Sequence, residues 1–185
     1  MVLIILKILT FLIFIICLGF IAYWLMALIK GDCKLKVLKA RMSPYKVEKM
    51  DMGSITLSYT IPVVNEGKQI GTIMDAFVRT YLPAEQYDKA VVTAVLTAAD
   101  APREDNYWQA FIMEKKRPKT FLIKIKIEGK SGNILRDLED FPDMEMDIIY
   151  QVVARSDYYY DKTRVVLTSE DLQTALYRYT SEVRK

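Results

Sequence analysis

The stretch Val63 to Thr72 reads "VVNEGKQIGT", with a Gly-Lys pair following a hydrophobic run, the setting in which a nucleotide-binding chain carries its phosphate loop. That loop needs a glycine five residues before the pair, where the backbone curls round phosphate, and a Ser or Thr after the lysine to hold magnesium. Pro62 and Gln69 occupy those positions, so the phosphate-loop reading is excluded and Asn65-Glu66-Gly67-Lys68 reads as a hairpin loop, with Gly67 supplying positive φ and Gly71 a bulge. The chain has no histidine. This removes the usual general base, the Ser-His-Asp and Cys-His nucleophile systems, and the commonest metal ligand. Lysine-assisted serine chemistry and a carboxylate pair are the remaining catalytic options, and neither has a signature here. No catalytic, metal or cofactor-binding residue is assigned, and no cofactor is expected.

Other side chains bear on binding. The stretch "DLEDFPDMEMD" holds Asp137, Glu139, Asp140, Asp143, Glu145 and Asp147. Calcium takes six to eight oxygen ligands, but the glycine-bearing twelve-residue loop of an EF-hand is missing, and a solvated acidic loop leading into a strand is expected. In "APREDNYWQAF", Arg103, Glu104 and Asp105 stand beside Tyr107 and Trp108. That grouping could line a polar pocket or an interface centre, although Trp108 reads mainly as core, with Ala110 and Ile112 on its face. The Tyr158-Tyr159-Tyr160 run alternates in direction, so at most two rings share a face; it reads first as an ordinary loop with its rings folded over the sandwich edge, and the alternative is an amphipathic hairpin tip that meets headgroups or a protein. "EKKRPK", Glu114 to Lys119, reads as a solvated turn.

The elements that must position these groups begin with an anchor. Ile8 to Ile29 carries no charge over 22 residues, enough at about 1.5 Å per residue to cross the roughly 30 Å hydrocarbon core. It is longer than a signal peptide's apolar core and lacks a small-x-small cleavage site. No glycine-based small-xxx-small motif marks it for tight pairing. Residues 1–46 contain Lys7, Lys30, Lys34, Lys36, Lys39, Arg41 and Lys46 against Asp32 alone, whereas the whole chain is only +3. The basic excess is thus juxtamembrane and the remainder is acidic, which argues against nucleic acid as a partner. Lys34, Lys36, Lys39 and Arg41 are candidate headgroup contacts. Positive charge after the span favours a cytoplasmic domain, with Lys7 before it pulling the other way. Cys17 lies in the span and Cys33 just beyond it, so no disulfide framework is implied.

Beyond the anchor the period is two. Ile55, Leu57, Tyr59, Ile61 and Val63 alternate with small or polar residues and Pro62, the mark of a half-buried strand, at an edge or bulged because proline cannot donate to a ladder. Further strands are expected over 73–82, 91–98, 107–113, 120–127, 146–154 and 163–168, with "RSDYYYDK" as a hairpin loop and a first strand within 35–50. Seven or eight strands without βα alternation predict an antiparallel sandwich. A helical stripe of Leu172, Ala175, Leu176, Tyr179 and Val183 follows Ser169, and Ser131 to Asp140 is expected to form a helical turn or two.

Anchor helix, basic stalk, a strand ending in "VVNEG" and a return strand together resemble the late-embryogenesis-abundant, water-stress and hypersensitive-response sandwich group. That group has Asn-Pro-Asn where this chain has Asn65-Glu66-Gly67. The resemblance implies an immunoglobulin-like fold over roughly Leu35 to Thr168 and a non-enzymatic protective or interaction domain. The expected organisation is a mainly β chain: transmembrane anchor 1–30, basic stalk 31–46 with room for a first strand, immunoglobulin-like sandwich 47–168 and C-terminal helix 169–185. The expected function is a single-span, membrane-tethered, non-enzymatic domain that binds or scaffolds a protein partner. A lipid or apolar-ligand carrier is the alternative, and an enzyme using carboxylates or lysine a lower one.

Overall fold

The computed structural model describes residues 2–103, 105, 107–155 and 157–183, so Glu104 and Ser156 fall outside the described residues. The leucine- and isoleucine-rich N-terminus forms α1 (Val2–Lys30). Leu3–Lys30 has a mean hydropathy of 2.9, and none of its most apolar stretch is buried against the rest of the chain. At 1.5 Å per residue it is about 42 Å long, more than enough to cross a bilayer. Gly31 ends it at φ +61, the left-handed position that glycine takes after a helix, with its N–H donating to the Leu28 carbonyl at 3.2 Å.

Two antiparallel sheets follow. The first contains β1 (Leu35–Val37), β2 (Lys46–Met50), β3 (Ser54–Asn65), β5 (Ala90–Ala98) and β7 (Pro118–Gly129), ordered β1-β3-β7-β5 with β2 also on β3. The second contains β4 (Gly71–Tyr81), β6 (Phe111–Met113), β8 (Met144–Val153) and β9 (Tyr159–Leu167), ordered β6-β4-β8-β9. With β1 and β2 counted as a split first strand and β6 as an added edge strand, the partition, first-second-fifth-fourth against third-sixth-seventh, is that of an immunoglobulin-type sandwich. The expected basic stalk carries β1 and a single 3-10 turn at Lys39–Arg41 before β2 begins. It joins the sheet because Leu35 and Val37 alternate with exposed lysines and can be buried against β3.

Burial alternates as period-two strands require. Ile55, Leu57, Ile61 and Val63 of β3 and, beside them in the same sheet, Ile123, Ile125 and Ile127 of β7 form one inner face, and Met146, Ile148 and Val152 of β8 belong to the other, all at 0% exposure. Each such side chain contributes about 1.5–3 kcal/mol of burial energy. The inner faces meet directly, so a carrier would need the sheets to part. Helix α2 (Ile134–Asp137) is one turn, capped by Asn133, whose side chain accepts from the Arg136 N–H. Helix α3 (Ser169–Val183) packs Leu172, Ala175 and Leu176 on the sandwich, and its first turn is capped by Thr168, whose hydroxyl accepts from Asp171 N at 3.0 Å.

Four sequence expectations are corrected. Pro62 lies in a central strand, not at an edge or bulge. Its carbonyl takes Leu38 N at 2.8 Å on the flank where the neighbouring chain leaves the ladder in the 3-10 turn, so no strand needs the missing N–H. The register irregularity falls between Ile73 and Asp75 rather than at Gly71. The strand expected over 107–113 is only Phe111–Met113, and Trp108 is buried while Ala110 and Ile112 face outward. Strand β9 starts at Tyr159, so Tyr159 and Tyr160 belong to the ladder, opposite Val152 and Gln151, and only Tyr158 stays in the loop.

Candidate functional site

The conspicuous construction of polar groups lies where α1 meets the sandwich. Asn65 ends β3 and is fully buried. Its Oδ1 accepts from the Lys34 N–H (3.2 Å) and the Gly67 N–H (2.9 Å), and its Nδ2 donates to the carbonyls of Gln69 (2.7 Å) and Met113 (3.2 Å). One amide thereby satisfies every position it has while joining the linker after α1, the β3–β4 hairpin and β6. Backbone bonds seal the same junction: Glu66 N to Lys34 O at 2.8 Å and Lys68 N to Asp32 O at 2.9 Å.

The glycines of the opening motif serve this packing. Gly67 has no positive φ, contrary to the sequence expectation; the glycines that do are Gly31 and Gly132. A Cβ on Gly67 would stand 2.8 Å from the Cys33 carbonyl carbon and closer still to Asp32 O and Lys34 N. One on Gly71 would stand 2.8 Å from Cys33 Cβ and closer to Sγ. Both positions need the absence of a side chain because the linker lies on them. Cys33 is buried, and burial first, then the neighbouring Asp32 carboxylate, raises its thiol pKa. The Tyr159 hydroxyl reaches over from β9 to accept from Leu35 N at 3.3 Å.

The hairpins also hold the helix itself. The last carbonyls of a helix have no intrahelical donors. Here Arg155 Nη1 donates to Ala27 O at 3.0 Å, Gln69 Nε2 to Lys30 O at 3.0 Å, and Lys68 Nζ to Ile29 O at 3.5 Å. Two cations at a helix C-terminus also complement its dipole. The β3–β4 and β8–β9 hairpins therefore sit at the end of α1. The β6–β7 turn joins them, because Lys115 bridges Asn65 and Lys116 N donates to Asn65 O at 2.9 Å.

This geometry sorts the residues singled out in the sequence. Lys34 lies at the junction and exposed. Lys36 is paired with Glu66 at 3.0 Å. Lys39 and Arg41 are carried up the flank beside Pro62 and Thr60, about 10–17 Å along β3 from Asn65 at 3.3 Å per residue. Tyr158 and Tyr160 are exposed and stack edge to face, with centroids 6.0 Å apart. Tyr159 turns inward. What the sequence does not bring together is Lys68, Lys115, Lys116 and Arg155, which come from three loops; only their positions at hairpin turns signal it.

A second surface is the outer face of the β4-β8-β9 sheet. Phe77, Val153 and Tyr160 are exposed there, around an ion cluster on Asp147, whose side chain is 1% exposed. Arg164 meets it at 2.9 Å, Tyr81 at 3.2 Å and Lys162 at 3.4 Å. The Arg164 hydrogen bond, outweighing desolvation and helped by Tyr81 and Lys162, holds the Asp147 carboxyl down at about 2. Arg79 and Arg164 lie over the Tyr81 ring at 5.6 and 5.7 Å.

The other acidic residues have separate structural partners. Asp137 accepts from Ser131 N at 3.0 Å, Asp140 pairs with Lys89 at 2.7 Å, and Asp143 accepts from Ser169 N at the start of α3 at 2.8 Å. Glu139, Asp140 and Asp143 are exposed in the segment that leads into β8, as expected, whereas Asp137 and Asp147 are buried, and no metal-holding group of three occurs among the described residues. The "APREDNYWQAF" stretch borders a cavity of about 210 Å³ lined by Thr97, Asp100, Arg103, Tyr107, Trp108 and Lys119. Its charges are spent in pairs, Lys119 with Asp100 and Arg103 with Asp105. Trp108 is core, with Nε1 donating to Ile73 O at 3.3 Å and its ring against Phe111 and Phe121.

No family model matches the chain and no curated protein matches it, so the late-embryogenesis-abundant resemblance extends to the sandwich and not to a family assignment. Among solved structures, the GAE domain of yeast GGA1 is 14% identical, with 72% of this chain and 90% of that one covered at a TM-score of 0.37. The GAE domain of GGA2p from Saccharomyces cerevisiae is 9% identical over 74% and 98%, at 0.36. An ApaA protein from Bordetella pertussis is 10% identical over 74% and 94%, at 0.41.

Proposed function

We propose that α1 spans a membrane and that the sandwich is a tethered, non-enzymatic module that binds or scaffolds a protein partner at the bilayer. The observation that carries this reading is the capture of the α1 carbonyls by Arg155, Gln69 and Lys68, which makes the domain a fixed extension of the helix rather than a bead on a loose stalk. A domain held in this way meets membrane-bound partners at raised local concentration. Its presented surface is the outer face of the β4-β8-β9 sheet, where aromatic side chains surround arginines, the residue types enriched at interface centres. The positive charge after the span favours the cytoplasmic side.

A photo-crosslinking residue placed at Phe77 on that face, in the full chain in cells, should yield one discrete crosslinked protein that disappears when Arg79 and Tyr160 are replaced by Ala. The same residue at Val91, on the opposite sheet, should yield none. Equal crosslinking from both faces, or insensitivity to the two replacements, would contradict the assignment.

A further inference from the structure

We propose that the end of the sandwich beside α1 is a binding surface for anionic lipid headgroups, built from the three turns together with Lys34 rather than from Lys36, Lys39 and Arg41 further along the basic segment. The inference rests on the reading that α1 spans. Side chains within 3.0–3.5 Å of the Ala27, Ile29 and Lys30 carbonyls must then lie at the depth where the helix leaves the hydrocarbon.

Charge says what that surface faces. Lys34, Lys115 and Lys116 are exposed and have no ion-pair partner among the described residues, whereas the neighbouring Lys36 and Arg117 are neutralised by Glu66 and Glu114 at 3.0 and 2.8 Å. Lys116 is held at φ 58, a left-handed turn that non-glycine residues adopt at a cost, and its N–H is fixed on Asn65 O. The junction therefore presents these cations in a set place. Beside them Ile70 (54% exposed) and Tyr158 (57% exposed) supply the apolar and amphipathic side chains that settle at a headgroup layer. Unpaired ammonium groups, an aromatic ring with a polar tip and a site fixed at the interface fit phosphate-bearing headgroups of net negative charge. Lys39 and Arg41 are equal in charge to Lys115 and Lys116 but lie up the flank, and provide an internal control.

The test uses the full chain in phosphatidylcholine vesicles with trace spin-labelled phosphatidylglycerol or spin-labelled phosphatidylcholine, reading the association of each lipid with the protein by electron paramagnetic resonance. The native chain should prefer the anionic lipid. The variant Lys115→Gln with Lys116→Asn, asparagine being tolerant of the left-handed turn, should lose that preference by about fivefold or more, since each lysine near an anionic surface contributes a comparable factor. The variant Lys39→Gln with Arg41→Gln should keep it. A native ratio of one, or equal losses in the two variants, would overturn the proposal. Alkaline carbonate extraction separates the two levels of failure. A native chain that is extracted overturns the spanning reading and this one with it, whereas a carbonate-resistant chain without lipid preference overturns only the headgroup site.

Discussion

Replacing Gly67 by Ala isolates the junction. The added methyl would stand 2.8 Å from the Cys33 carbonyl carbon and nearer to Asp32 O and Lys34 N, all backbone, so linker and hairpin must separate. Separation disrupts Glu66 N to Lys34 O, Lys68 N to Asp32 O and the Asn65 bond to Lys34 N. Three hydrogen bonds at about 1 kcal/mol each, or the strain of keeping them, give a loss of about 2–4 kcal/mol. For a chain of this size that is a fall in Tm of about 5–15 °C, measurable by thermal scanning of the full chain in detergent. Hydrogen exchange should show the Lys68 and Glu66 amides losing protection. Gly67→Asn discriminates the cause. If the glycine were there for positive φ, asparagine would be accepted; because the constraint is close approach, it should be at least as damaging as alanine. Gly53→Ala, where the nearest atom to the new Cβ is 4.0 Å away, should be nearly neutral. A Gly67→Ala chain with unchanged Tm and unchanged Lys68 protection would refute the reasoning.

The Asp147 carboxyl, held at about 2 mainly by Arg164, contributes stability that is complete above the ordinary carboxylate pKa near 4 and is lost as pH falls toward 2. Its cover is made of half-exposed cationic side chains, so about 1–2 kcal/mol is expected after solvent screening; urea melts at pH 6 and pH 3 should show about half of it lost, pH 3 lying midway between the unfolded and folded values, and Asp147→Asn should abolish the difference. Trp108→Ala should cost about 3–5 kcal/mol by emptying the space against Phe111 and Phe121, and an unchanged denaturation midpoint would show that the ring is not core. Cys33, buried and raised in pKa, should resist impermeant thiol reagents in the native chain and react on unfolding; rapid native labelling would mean that the linker is not packed as described.

Much of the architecture is legible in the sequence because burial writes itself as a period. Ile55 to Val63 and Phe121 to Ile127 alternate cleanly, and Ser169 opens a stripe three and four residues apart. The charge-free run of α1 is equally plain. What period does not reveal is where strands break and which loops meet. Pro62 signals an edge when taken alone; only the interruption of the facing strand explains it in a central one. The tyrosine run looks like a turn because its polarity hides that Tyr159 faces inward to Leu35 N. Gly67 and Gly71 are visible as special, but close approach and positive φ leave the same letter in a sequence. The convergence of Lys68, Lys115 and Arg155 depends on topology, since residues separated by tens of positions are joined through Asn65 and the α1 carbonyls.

The central claim is that the end of the sandwich carrying Asn65 lies at the interface that α1 leaves. Met52 (86% exposed) is at the opposite end of β3 from Ile70 (54% exposed), and eleven residue steps of strand separate the ends by about 36 Å. A fluorophore at Ile70→Cys or Met52→Cys in a Cys17→Ser background of the full chain, reconstituted in vesicles, should be read by quenchers attached to lipid headgroups. Strong quenching at position 70 with little at position 52 is the predicted result. Equal quenching at both, or none at position 70, would contradict the account.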